Sequence, residues 1–132
     1  MLILENLKII IKEIILIFQA LSIVAPSGTK IINKEKTLEI RSWQPDILPL
    51  KNLVIVENKN FLNSDFQEEE GVAIALVDIE SIHEWQEHEI EAACASYWEK
   101  GYYAWIISNI RVIRQPIKTI AKRKIYSLNL SI

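Results

Sequence analysis

Lys36, Thr37, Glu39, Arg41 and Trp43 bring an ammonium, a hydroxyl, a carboxylate, a guanidinium and an indole together in the stretch KEKTLEIRSW at 34–43. If this stretch is a strand, its two-residue period sets Thr37, Glu39, Arg41 and Trp43 on one face. Leu38 and Ile40 then point the other way, and Lys36 stands at the edge. A guanidinium two residues from a carboxylate can pair with it, read a polar base edge or clamp a phosphate. An indole beside them offers a stacking surface worth about 1 to 3 kcal/mol per base. Together these groups suit a nucleotide-sized ligand. The plainer alternative is an outward strand face whose ion pair contributes at most about 1 kcal/mol.

A second signal is the distribution of charge. Arg111, Arg114, Lys118, Lys122, Arg123 and Lys124 lie in the last 22 residues with no acid among them, whereas residues 57–99 carry twelve acids against Lys59. A basic terminal strand can track a phosphate backbone, with binding that weakens in salt. Equally, lysines can solvate an edge strand against aggregation. Tyr102, Tyr103 and Trp105 add stacking surfaces if they face outward and core if they do not.

Other reactive residues lack a chemical arrangement. His83 and His88 are five apart and do not share a helical face as a metal-binding pair would, so no metal site is expected. Glu84, Glu87 and Glu91 form a carboxylate stripe that reads first as a solvated helix face whose acids favour the dipole. In a hydrolytic protein Glu84 or Glu87 would activate water beside Lys36. Cys94 falls on an apolar face and reads as core. No phosphate-binding loop, nucleophile elbow or dinucleotide fingerprint is present, and no cofactor is implied.

These residues must be positioned by short elements. The 132 residues, formally −2 in charge and half apolar, suit one compact core. One cysteine excludes a disulfide framework and points to a reducing cytoplasm. Residues 20–24 read as a buried strand ending before Pro26. Residues 27–35 read as a short helix capped by Ser27, with Lys30 and Lys34 a turn apart. Strands follow at 36–43, 52–58 and 72–82, with an acidic loop closed by Gly71 before the last of these. Residues 83–101 read as a helix, because Ile90, Ala93, Cys94 and Tyr97 share a face and Gly101 supplies a stop. Three more strands are expected at 102–108, 111–117 and 124–130. The order predicts a mainly β, α+β domain over 19–132.

Residues 1–18, MLILENLKIIIKEIILIF, stand apart. Glu5, Lys8, Lys12 and Glu13 interrupt them, whereas a membrane span needs roughly 20 apolar residues with few charges. At helical spacing Glu5, Lys8, Lys12 and Gln19 form one stripe and Leu7, Ile10, Ile11, Ile14 and Phe18 face away. This pattern predicts an amphipathic helix that packs on the domain or on a second copy as a homodimer. A β-rich run is the rival, since isoleucine favours strands.

ALSIVAP at 20–26 followed by Lys36-Thr37-x-Glu39-x-Arg41-x-Trp43 resembles the opening of the ASCH family in the PUA-like superfamily. LVIVEN at 53–58, GVAIALVDI at 71–79 and GYYAWIISNIRVIRQPI at 101–117 resemble its later strands. The resemblance implies a small PUA-like β pseudobarrel with short flanking helices and a cleft beside the first helix. That cleft would take RNA or a nucleotide-like small molecule. The implied ligand-binding set is Lys30, Lys36, Thr37, Glu39, Arg41 and Trp43. Some relatives resemble ribonucleases, and a related group hydrolyses the acyl amide of a modified cytidine with a lysine, a threonine and a glutamate. Glu39 stands where those amidohydrolases place the threonine, and Ala121 or Lys122 replaces the glycine usual before the last strand. Binding is therefore the leading expectation. The alternatives are a hydrolase using Lys36 with Glu39, Glu84 or Glu87, and an interaction protein assembling through residues 1–18.

Overall fold

The structure, a computed structural model, describes residues 16–131. In chain order the elements are β1 (Leu16–Val24), α1 (Ser27–Ile32), β2 (Leu38–Arg41), β3 (Leu50–Asn58), β4 (Glu68–Glu84), β5 (Tyr103–Lys122) and β6 (Ile125–Leu130). The six strands form one mainly antiparallel sheet in the order β2-β5-β4-β3-β1-β6, with β1 and β3 paired in parallel. The mainly β expectation holds.

The sheet is rolled, as a pseudobarrel requires. Strands β5 and β6 are joined by residues 123 and 124 alone, yet four places separate them in the sheet. In a flat sheet that separation would be roughly 19 Å, whereas so short a link reaches at most about 11 Å. Curling the sheet brings the end of β5 back to β1, where the Lys122 N–H donates to Ser22 Oγ at 3.2 Å. Strand β6 then pairs with β1 from Leu16↔Leu130 to Leu21↔Ile125.

Rolling explains why the central strands are apolar on both faces. In β3, Leu53 and Ile55 enter one core with Leu21, Ile23, Val77, Ile79 and Trp105. The alternate residues Val54 and Val56 enter a second core with Ala20, Ala73, Ala121, Leu128 and Leu130. A continuous apolar run is what a strand with both faces covered demands. A smaller third cluster joins Leu38, Trp85, Ala93 and Ala104.

Several expectations change. The helix over 83–101 does not form: β4 runs on to Glu84, a 3-10 turn covers Glu87–Glu89, and turns continue through Cys94. Tertiary contacts replace the helical ones. Trp85 is buried and donates its indole N–H to Glu89 O at 3.3 Å, Trp98 donates to Trp85 O at 3.1 Å, and Ala92 O accepts the Thr37 N–H at 2.9 Å. Cys94 has φ 53, outside the helical region, and is exposed rather than core, as is Tyr97. Propensity gives way here to tertiary packing.

The expected strands at 102–108 and 111–117 are one strand, β5. Asn109 at φ 49 sits in a bulge, and a larger irregularity between Val112 and Ile117 accommodates Pro116, which has no N–H to donate to the ladder. Helix α1 forms where expected but is shorter, ending at Ile32 rather than at 35; Ser27 is its first residue rather than its cap, and no side chain of its own caps it. Instead Glu57 of β3 accepts the Thr29 N–H at 2.8 Å. Finally, the helix and homodimer expected from residues 1–18 lie outside the described residues except at 16–18, which belong to β1 and follow the rival β reading. Among the described residues no helix is long and apolar enough to cross a membrane.

Candidate functional site

Strand β2 pairs with β5 at the sheet edge, Glu39 opposite Trp105 and Arg41 opposite Tyr103. The alternation expected of KEKTLEIRSW is realised over β2: Leu38 and Ile40 pack in the third cluster, while Glu39 and Arg41 turn to the other side. Glu39 is 7% exposed and sits between two cations. Its Oε2 accepts from Arg41 Nη2 at 3.1 Å, and its Oε1 lies 3.4 Å from Lys36 Nζ and accepts the Ile40 N–H at 3.2 Å. Burial pushes the Glu39 carboxyl up, but the charges and hydrogen bonds of Arg41 and Lys36 outweigh it, so its pKa lies below the usual glutamate value. The carboxylate is ionised and its neighbours hold it there.

The two cations serve different ends. Arg41 Nη2 also donates to Ser22 O at 2.9 Å, tying β2 at one sheet edge to β1 near the other. Lys36 is 5% exposed and donates to Ala93 O at 2.7 Å, so it fastens the 92–94 turn beneath β2. Trp43, just past β2, packs edge-on against buried Trp105 with ring centroids 5.0 Å apart at 86°.

A cavity of about 560 Å³ opens beside these residues. Glu39, Arg41 and Trp43 form one wall, the end of β1 with Ser27 another, the loop Asn58–Asn63 a third, and the link Lys122–Lys124 a fourth. Its volume falls within the roughly 300 to 1,000 Å³ usual for small-ligand sites. The basic link is held by a relay. The Lys122 N–H donates to Ser22 Oγ, Ser22 and Tyr126 share a hydrogen bond of 2.9 Å, and the Tyr126 hydroxyl donates to Ile120 O at 3.0 Å. Lys124, not a glycine, takes the left-handed conformation in this link, at φ 59.

The loop wall is organised by Glu69. Its Oε1 accepts from Asn58 Nδ2 at 2.8 Å, the Lys59 N–H at 3.0 Å and the Asn60 N–H at 2.7 Å, and its Oε2 accepts from Asn60 Nδ2 at 3.0 Å. These bonds, those from Asn60 foremost, draw its pKa down to about 2. Asn58 Nδ2 also donates to Asn60 O at 2.7 Å, and Asn58 Oδ1 is buried with no partner. None of Glu69, Asn58 or Phe61 was singled out from sequence. An acid inside an acidic run carries no local signal of the loop it will cap.

The other expected site residues are placed elsewhere. Thr37 lies before β2 with its hydroxyl 3.5 Å from Ala92 O, and neither it, Lys30 nor Lys36 lines the cavity. Glu84 and Glu87 are exposed beside the 3-10 turn and do not reach it. Of the six basic residues, Lys122, Arg123 and Lys124 line the cavity. Arg114 and Lys118 are exposed on β5, while Arg111 is committed to Asp78, with contacts of 3.0 and 3.2 Å. Among the described residues no group of three or more His, Cys, Asp or Glu is placed to hold a metal.

The order of strands, the rolled sheet and the β2 motif agree with a match of the ASCH domain family model to residues 21–117. The chain belongs to the ASCH family. No curated protein matches it. The family match covers the β2 motif, the loop wall and most of β5, and it ends before the basic link and β6.

Proposed function

We propose that this ASCH domain binds a nucleotide, free or as one unit of an RNA strand, in the cleft between β2, the 58–63 loop and the β5–β6 link. The observation that carries this reading is convergence. Arg41 and Trp43, from the β2 motif, and Lys122, Arg123 and Lys124, from the far end of β5, line one cavity. Cations and an aromatic ring around a nucleotide-sized space provide the two attractions that single-stranded nucleic acid offers, phosphate charge and base stacking. Residues 19–132 would act as one unit, because β6 and the link complete the cleft that β2 begins.

The reading is tested by titrating the protein with a short single-stranded RNA at several salt concentrations. With two or three phosphates contacted, log K should fall against log salt with a slope of about −1.4 to −2.1. Arg123→Glu/Lys124→Glu should lower affinity tenfold or more and flatten that slope. Both residues are exposed, and the one ion pair lost, Arg123 to Asp65 at 3.1 Å, lies at the surface, where such pairs contribute little, so the fold should be retained. Equal affinity in wild type and double variant would overturn the reading.

The hydrolase alternative has one supporting contact, the 3.4 Å approach of Lys36 to Glu39, of which only Glu39 lines the cavity. A carboxylate with a lowered pKa is a weak base and is not a proton donor near neutral pH. Binding is therefore the better supported reading.

A further inference from the structure

We infer that Phe61 is a second stacking surface of the cleft, presented to a nucleobase by a loop that Glu69 holds in one arrangement. This rests on the nucleotide reading above. Phe61 is 78% exposed and lines the same cavity as Trp43. Exposed single phenylalanines are common and by themselves mean little. What distinguishes this one is the loop that carries it. Four donors from Asn58, Lys59 and Asn60 converge on the Glu69 carboxylate, so the backbone is pinned up to the residue before Phe61. A ring presented on a pinned backbone loses little conformational freedom when a base stacks on it.

The base of the same wall is fixed as well. Asn58 is 5% exposed, and its amide nitrogen already serves two acceptors, Asn60 O and Glu69 Oε1, which fixes the orientation of the amide. Its Oδ1 is enclosed in the wall without a partner. A planar base would supply the ring on which Phe61 stacks. A sugar phosphate without a base would not. Phe66, further along the connection between β3 and β4, is 96% exposed and does not line the cavity, which makes it an internal control.

The experiment measures the affinity of the full chain for a short oligoadenylate, for an abasic strand of the same length and for adenosine monophosphate. Phe61→Ala should weaken oligoadenylate binding roughly 5- to 150-fold and leave abasic binding unchanged. Phe61→Trp should keep the affinity, and Phe66→Ala should bind as wild type does. Glu69→Gln should weaken binding in the wild-type background but add nothing to Phe61→Ala, as expected of a positioning residue acting through Phe61. Comparable monophosphate affinity would assign the site to free nucleotides, and a much weaker one to a strand; either supports the stacking role if Phe61→Ala reduces it. Unchanged oligoadenylate affinity in Phe61→Ala, or an equal loss for the abasic strand, would overturn the inference while leaving the nucleotide reading intact. Failure of wild type to bind all three ligands would overturn both.

Discussion

Glu39 and Asp78 are both buried carboxylates facing an arginine, and they have opposite relations to the cleft. Glu39 lines the cavity, and its cations, Lys36 and Arg41, come from the same short stretch of chain. Asp78 lies in mid-sheet, where β3 and β5 both slip register against β4. It accepts from Arg111, the Asn52 N–H at 3.0 Å and Asn109 Nδ2 at 2.8 Å. Asn52 and Asn109 both have left-handed φ, of 57 and 49, so Asp78 satisfies donors that two bulges expose. Bonds from Arg111 and Asn52 dominate and hold its pKa well below the usual aspartate range. A buried ion pair alone is thus no mark of a ligand site. The neighbouring cavity distinguishes Glu39, and the neighbouring bulges explain Asp78.

This contrast can be broken by substitution. The largest effect is expected from Glu39→Ala, which strands two cations, one of them buried. It should cost about 3 to 5 kcal/mol, read by urea unfolding, and abolish RNA binding. Asp78→Ala should cost somewhat less, about 3 kcal/mol, because the Arg111 side chain is 35% exposed and water can take it back. At a temperature where this variant stays folded its RNA affinity should equal that of wild type. A binding defect in folded Asp78→Ala would mean that the mid-sheet network also shapes the cleft.

Acid sharpens the comparison. Glu39, Asp78 and Glu69 all have pKa values below their ordinary ones. A depressed folded-state pKa gives stability that is fully present above the unfolded value and is lost as pH falls through the folded one. For Glu69 that window runs from 4.5 down to about 2. Stability should therefore decline as pH falls below 4.5, and Glu69→Gln should make that decline shallower in unfolding curves taken across this range. An identical acid limb in the variant would show that the loop network adds no pH-dependent stability. The smallest effect is expected from Lys118→Ala. Lys118 is exposed on β5 and away from the cavity, so the variant should change RNA affinity less than twofold. A larger loss would extend the nucleic-acid path along β5.

The β2 motif was legible because a strand's side-chain direction depends only on the parity of residue number. That sufficed to place Glu39 and Arg41 together and apart from Leu38 and Ile40. It did not extend to Lys36 or Thr37, which precede the strand and are claimed by Ala93 and Ala92. The 83–101 segment misled for a related reason. Apolar spacing of three and four is equally well used by a chain of turns that inserts Trp85, Ala93 and Trp98 beneath β2. The basic tail was legible as charge. Its division into cleft-lining Lys122, Arg123 and Lys124 and sheet-bound Arg111 was not, because charge does not encode which partner is near.

Local chemistry therefore determined where most strands lie, the β2 face and the family, all of which depend on neighbours in the chain. The cleft itself was decided by closure. Rolling the sheet brought Ser22 to Arg41 and Lys122 to Ser22, contacts spanning 19 and 100 residues. Such contacts follow from the summed twist and register of six strands, which no short window of sequence contains.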